Sequence, residues 1–236
     1  MERLDKVIAS QGKYSRSEVK KLIAKKKIIV NGKIAEKSDM KIDEKNTVIE
    51  IDGEKVSTEK YAYLMLNKPE GYISSTEDKN ALTVLDLLPE EYSKRDFFPA
   101  GRLDKDTTGL MIITNDGKLA HNILSPKKHV KKVYDVTIDI DITEDMVKRF
   151  AEGIKLNDFQ CKKAKLIITG KNTARVIITE GRYHQIKRMF GCCKAKVTKL
   201  HRIGMGNLML PEDLAEGSYR ELSDEELLSL QEKDEK

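Results

Sequence analysis

Apolar residues in this chain recur with two periods, and the change from one to the other marks out the elements. Leu4, Val7 and Ile8 fall at helical spacing, and Gly12 stands where such a helix should stop. Ser15-Arg16-Ser17-Glu18 has the form of a capping box, and Val19, Leu22 and Ile23 continue as the apolar stripe of a second helix. Ile28-Ile29-Val30-Asn31-Gly32-Lys33-Ile34 then predicts a hairpin, because Asn-Gly supplies the left-handed backbone that a two-residue turn needs. A further strand is expected at residues 47–51, with Asp52-Gly53 as the next turn. Residues 58–60 are a polar connector. Beyond it, strands are expected at residues 61–66, 109–114, 133–138, 164–169 and 174–179, with helices at 118–124, 144–152 and 182–190. Ser223 to Leu228 opens with a second capping box and predicts a terminal helix. Strands that follow strands, with helices between, favour an α+β fold with a large, mainly antiparallel sheet flanked by helices. The expected divisions are a small domain at 1–57, a linker at 58–60 and a larger domain at 61–236.

The charge pattern changes this picture more than the bulk composition does. The net charge is only +5 over 236 residues, yet residues 1–33 hold ten Lys/Arg against three Asp/Glu, and residues 211–236 hold three against ten. The second helix carries Lys20, Lys21, Lys25 and Lys26 opposite its apolar stripe, with Arg16 at its start. A basic head points to a polyanionic partner; a lysine-rich solvated face explains it equally well. No apolar run is long enough for a membrane span, and the first residues lack the apolar core of an export signal, so a cytoplasmic protein with no membrane partner is expected. Cys161, Cys192 and Cys193 have no zinc-ligand spacing and read as reduced thiols.

Two stretches could carry chemistry. Residues 100–110 (AGRLDKDTTGL) are polar, glycine-flanked and run into a strand, which puts a carboxylate on a loop at the strand's entrance. A plain turn accounts for this too. A calcium loop is excluded because Thr108 and Asn115 stand where acidic ligands are needed, and a phosphate loop because the Gly-Lys-Ser/Thr ending is absent. A pair of facing carboxylates would need Asp104 and Asp106 to converge on a sugar, which spacing alone does not establish. In residues 180–191 (EGRYHQIKRMFG), Ile186, Met189 and Phe190 share one helical face, whereas His184, Lys187 and Arg188 share another. Such a helix would bury one side and present cations on the other. His184 has no ligand-spaced Cys or His beside it, so metal binding is not expected.

Two family resemblances draw these pieces together. RLDKVIASQGKYSRSEVKKLIAKKKIIVNGKIA resembles the S4-type RNA-binding domain, whose helix pair docks on structured RNA. GRLDKDTTGLMIITNDGKLAHNILSPKKHVKKVYDVTI, with EGRYHQIKRMF and LHRIGMGNLMLPEDLAEGSYREL, closely resembles the pseudouridine synthases. The form with Tyr183-His184-Gln185 is nearest the subfamily that acts on small-subunit rRNA (RsuA). That resemblance implies detachment of uracil from C1′ of a uridine and its reattachment through C5, with no metal or cofactor. It implies Asp104 as the essential carboxylate, Tyr134 as the tyrosine that stacks on the base, and Lys187 as the cation that holds the aspartate ionised and oriented. Arg102, Arg182, His184, Gln185 and Arg188 are implied in RNA contacts, as are Arg16, Lys20, Lys21, Lys25 and Lys26 of the first domain. Leu208 and Leu210 would match the family's apolar residue beside the uracil. The partner implied is 16S rRNA or the assembling small ribosomal subunit, met by a monomeric enzyme. The rival readings are a large-subunit rRNA synthase, a non-catalytic RNA-binding protein and, more distantly, a hydrolase using Asp104.

Overall fold

The computed structural model describes residues 1–93, 95–125 and 128–231. The chain divides into two compact units, Met1–Ala62 with Leu88–Phe98, and Tyr63–Leu87 with Pro99–Lys236. The short piece 88–98 groups with the first unit.

In the first unit, α1 (Leu4–Ser10) and α2 (Arg16–Ala24) pack on a small sheet. Both halves of the expected capping box are present at Ser15: its hydroxyl accepts from the Glu18 amide, and the Glu18 carboxylate accepts from the Ser15 amide. Leu4, Val7, Ile8, Val19 and Ile23 bury their side chains against Ile28, Ile49 and Ile51. The sheet runs in the order Lys33–Ile34, Ile28–Val30, Ile49–Ile51, Glu54–Val56, all antiparallel. Asn31 and Gly32 turn with φ of 50° and 76°, and Asp52 and Gly53 with φ of 52° and 86°. These are the two left-handed positions of a type I′ hairpin, which is why both turns can be located from residue type. Arg16, Lys20, Lys21, Lys25 and Lys26 are exposed. Residues 58–60 are tied back to this unit, since Thr58 donates to the Glu44 carbonyl at 2.5 Å and Gln11 to the Glu59 carbonyl at 3.0 Å.

The second unit is built on one sheet. Its strands are β1 (Tyr63–Lys68), β2 (Thr108–Thr114), β3 (Lys132–Ile138), β4 (Lys165–Ile168), β5 (Thr173–Ile178), β6 (Val197–Met205), β7 (Leu208–Met209) and β8 (Tyr219–Glu221). Its helices are α3 (Gly117–Leu124), α4 (Glu144–Glu152), α5 (Gln185–Cys192) and α6 (Asp224–Gln231). The strand order is β4-β5-β3-β6-β2-β1-β8, with β7 folded back on β6. Every one of these pairings is antiparallel except β6 with β2, where His201 lies opposite Thr108 and Arg202 opposite Gly109. At that contact a Cβ on Gly109 would lie 2.3 Å from the Arg202 carbonyl oxygen, and its φ of +101° suits only glycine. The four residues Leu110 to Ile113 are all fully buried, which explains their unbroken apolar run.

Two sequence expectations need correction. The longest strand, β6, is absent from the periodicity reading: Lys199, His201 and Arg202 interrupt its apolar alternation, and Arg202 is buried all the same, its Nε donating to the Leu110 carbonyl at 2.7 Å. The helix expected at 182–190 begins only at Gln185, because His184 takes a left-handed conformation (φ 49°) that cannot continue a helix. The acidic tail ends its described helix at Gln231; residues 232–236 lie outside the described residues. Among the described residues no helix is long and apolar enough to cross a membrane, and all three cysteines are free.

Candidate active site

Asp104 lies on the loop that enters β2, and the loop's backbone is held from beneath. Lys68, at the end of β1, is completely buried, and its ammonium donates to the carbonyls of Pro69, Lys105 and Thr107 at 3.0, 3.4 and 2.8 Å. Burial is the chief reason its pKa falls to about 8, with Asp106 and Asp104 opposing the fall. Ser74 closes the other side: its hydroxyl donates to the Leu103 carbonyl at 2.8 Å and accepts from the Leu103 amide at 2.9 Å. The Gly71 amide donates to the Lys105 carbonyl at 2.9 Å. A loop pinned at Leu103, Lys105 and Thr107 leaves the Asp104 carboxylate little freedom.

The partners of that carboxylate come from the start of α5. Gln185 is buried and ties this start down: its amide donates to Glu180 at 2.7 Å and its oxygen accepts from the Arg182 backbone at 3.1 Å. His184 and Lys187, three residues apart, both face Asp104. Lys187 Nζ lies 3.1 Å from Asp104 Oδ2 and 2.5 Å from Asp106 Oδ1, and His184 Nε2 lies 3.4 Å from Asp104 Oδ1. Asp104 and Lys187 side chains are only 27% and 22% exposed, so this pairing is partly shielded from water. Burial works to lower the Lys187 pKa, but its hydrogen bonds to Asp106 and Asp104 outweigh burial and leave it raised. The hydrogen bond from Lys187 is likewise the main cause that holds Asp106 below the usual carboxylate value.

Asp104 opens onto a depression with two parts. The narrow inner part, about 70 Å³, is walled by Tyr134 and by the aliphatic side chains of Ile178 and Leu200. The wide outer part, about 440 Å³, reaches Ser74, Lys105 and Tyr183. Arg102, Asp104, Arg182 and His184 line both. The arrangement is thus a carboxylate flanked by a cation, facing an aromatic and aliphatic slot rimmed with positive charge. It suits attack on, or proton removal from, an anionic substrate that carries a flat ring. Among the described residues no group of three or more His, Cys, Asp or Glu side chains converges to hold a metal ion.

Residues 62–191, which carry Asp104, Tyr134, His184 and Lys187, match the RNA pseudouridylate synthase family, and residues 2–48 match the S4 domain. The chain belongs to the RNA pseudouridylate synthase family. It is 41% identical to an uncharacterized RNA pseudouridine synthase of Bacillus subtilis, YtzG, over 98% of both chains. It is 39% identical to the ribosomal small subunit pseudouridine synthase A of Escherichia coli K12, over 97% of this chain and 99% of that one. A crystal structure of a pseudouridylate synthase superposes with a TM-score of 0.70 at 38% identity, covering 98% of this chain and all of the other.

Within this pseudouridine synthase, the depression gathers Asp104, Tyr134, Arg102, Arg182, His184 and Gln185, and Lys187 touches it through Asp104. It does not gather all the residues named from sequence. Leu208 and Leu210 are not among its lining: β7 turns back on β6 through Gly206-Asn207, burying Leu208 opposite Met205 and tying the Leu210 amide to the Ile203 carbonyl at 2.8 Å. The apolar wall comes from Ile178 and Leu200 instead. Gln185 lines the depression, but its amide is committed to Glu180 and Arg182. Arg188 is paired with Asp158 and lies over the Phe159 ring at 5.3 Å. Arg16, Lys20, Lys21, Lys25 and Lys26 belong to the first unit. Sequence reasoning misses Lys68 and Ser74. The Asn67-Lys68-Pro69 sequence reads as a strand's end, and only the fold reveals that Lys68 is buried under the Asp104 loop.

Proposed function

We propose that this pseudouridine synthase isomerises one uridine of 16S rRNA, on naked RNA or on the assembling small subunit, with Asp104 as the essential carboxylate. The observation that carries this reading is the position of Asp104 between Lys187 and the slot walled by Tyr134. The relatives from Escherichia coli and Yersinia pestis named for the ribosomal small subunit support the choice of RNA.

In the reaction the N1–C1′ bond breaks, the uracil turns, a C5–C1′ bond forms, the C5 proton leaves and N1 gains a proton. Asp104 either bonds to C1′ or accepts the C2′ proton, and a carboxylate held in place by Lys187 at 3.1 Å serves both routes. A base stacked in a helix cannot reach the carboxylate, so the target uridine is extruded into the slot, where Tyr134 supports the ring. Arg102 and Arg182 at the rim hold the phosphates beside it.

Tritium release from C5-labelled uridine in unmodified 16S rRNA tests the reading. About one tritium per RNA is expected from the wild type. Asp104→Asn should cut turnover by about 10⁴-fold or more and keep its RNA affinity. Release from large-subunit rRNA alone would move the target to that RNA, and turnover in Asp104→Asn would overturn the assignment of the carboxylate.

A further inference from the structure

The outer part of the depression carries features that isomerisation itself does not use. Tyr183 is 73% exposed, and its ring lies flat on His184, with centroids 3.8 Å apart and planes 19° apart. His184 is itself held, by its left-handed backbone at the start of α5 and by its approach to Asp104 at 3.4 Å. One face of the tyrosine is thus backed and the other is open. Arg102, Lys105 and Arg182 line the same space, and none of them forms a salt bridge among the described residues. An exposed tyrosine alone would mean little. This one is pinned against a second ring, borders a cavity of about 440 Å³ and stands close to Asp104. A fixed aromatic face among cations is how proteins hold single-stranded nucleic acid, with bases on the ring and cations along the backbone.

We propose that Tyr183, backed by His184, is a stacking platform for the base of a nucleotide next to the target uridine. Arg102 and Arg182, which border both parts of the depression, hold the phosphates that join the two nucleotides, and Lys105 flanks the outer one. Extruding the uridine strips its neighbour of a stacking partner, and the Tyr183 ring replaces it. The proposal deepens the uridine-isomerase reading above and rests on it.

Wild type, Tyr183→Ala and Tyr183→Phe are compared in two assays. One is pseudouridine formation in unmodified 16S rRNA; the other is binding of a short single-stranded oligouridylate by fluorescence anisotropy. Tyr183→Ala should raise both KM and the oligouridylate Kd by roughly 5- to 150-fold, the worth of one base stack, with kcat near wild type. Tyr183→Phe should restore both values. An rRNA fragment with an abasic residue beside the modified uridine should bind wild type as weakly as the intact fragment binds Tyr183→Ala. Unchanged KM and Kd in a folded Tyr183→Ala protein would overturn the proposal, and so would a fall in kcat alone, which would leave Tyr183 only orienting His184. If wild type leaves 16S rRNA unmodified while oligouridylate binding still depends on Tyr183, the target assignment fails and the platform stands. If it modifies the rRNA and neither assay responds to Tyr183, the platform fails and the target stands.

Discussion

On α2 of the first unit, Lys20, Lys21, Lys25 and Lys26 stand exposed, whereas in the second unit Lys68 and Lys132 are buried and Lys187 is held between two carboxylates. The same side chain serves two ends. An exposed lysine is a mobile charge in high dielectric, suited to meeting a polyanion through released counterions and weakened by salt. A buried lysine is a fixed donor: Lys68 gives its hydrogens to three carbonyls of the β1 end and the Asp104 loop, and Lys132 donates to the Val130 carbonyl at 3.1 Å. The α2 lysines are thus suited to supplying charge and the buried lysines to fixing geometry, and substitutions in the two should fail in different ways.

Among these lysines the largest effect is expected at Lys68. Lys68→Met removes the donor under the Asp104 loop and strands buried carbonyls, at a cost of about 2–4 kcal/mol in urea unfolding, with turnover falling alongside. The pH dependence sharpens the test. The pKa of Lys68 is about 8 in the folded chain against an ordinary 10.5, so between these values the unfolded chain holds more proton. Wild type should then gain stability relative to Lys68→Met as pH rises through that window. A difference that stays flat would contradict the burial of this ammonium.

A smaller effect, of another kind, is expected on α2. Replacing Lys20, Lys21 and Lys25 together by Gln should make the salt dependence of RNA binding shallower, by about 0.7–0.9 in log–log slope for each phosphate no longer neutralised. Turnover at saturating RNA and thermal stability should hold. A fall in kcat here, or an unchanged slope, would break the division of labour between the units.

The smallest change is expected from Asp106→Asn. Asp106 raises the Lys187 pKa, so its loss should move the alkaline limb of the pH–rate profile to lower pH. In wild type the stabilisation from Lys187 is complete below its ordinary 10.5 and is lost only as pH climbs past its raised folded value. That from Asp106 is complete above its ordinary 3.8 and is lost as pH falls through its lowered one. An alkaline limb that does not move would show that Asp104 alone sustains the charge on Lys187.

These contrasts also mark what can be read from sequence. The stripe Val19, Leu22, Ile23, the Ser15–Glu18 box and the Asn31-Gly32 turn are legible because their causes lie within a few residues. The neighbours Asp104 and Lys187 are legible by resemblance, through short motifs. Lys68 under the loop, Arg202 inside β6 and the left-handed His184 are not, since each depends on partners tens of residues away or on a backbone state that residue type does not announce. That Leu208 and Leu210 do not line the slot is hidden for the same reason: it is decided by how β7 turns back on β6.

The place of β6 in the sheet sets the order in which the protein becomes an enzyme. β4, β5 and β3 pair among themselves, as do β2, β1 and β8, and β6 alone joins the two groups. Asp104 belongs to one group and Tyr134 to the other. On the ribosome, a nascent chain that has not yet released Val197–Met205 lacks the strand that joins the two halves of the sheet carrying these residues. These long-range pairings carry a high loop-closure cost and come late in folding. The juxtaposition of Asp104 and Tyr134 in one sheet thus waits on β6, and a chain cut before Val197 would keep the first unit without the completed slot.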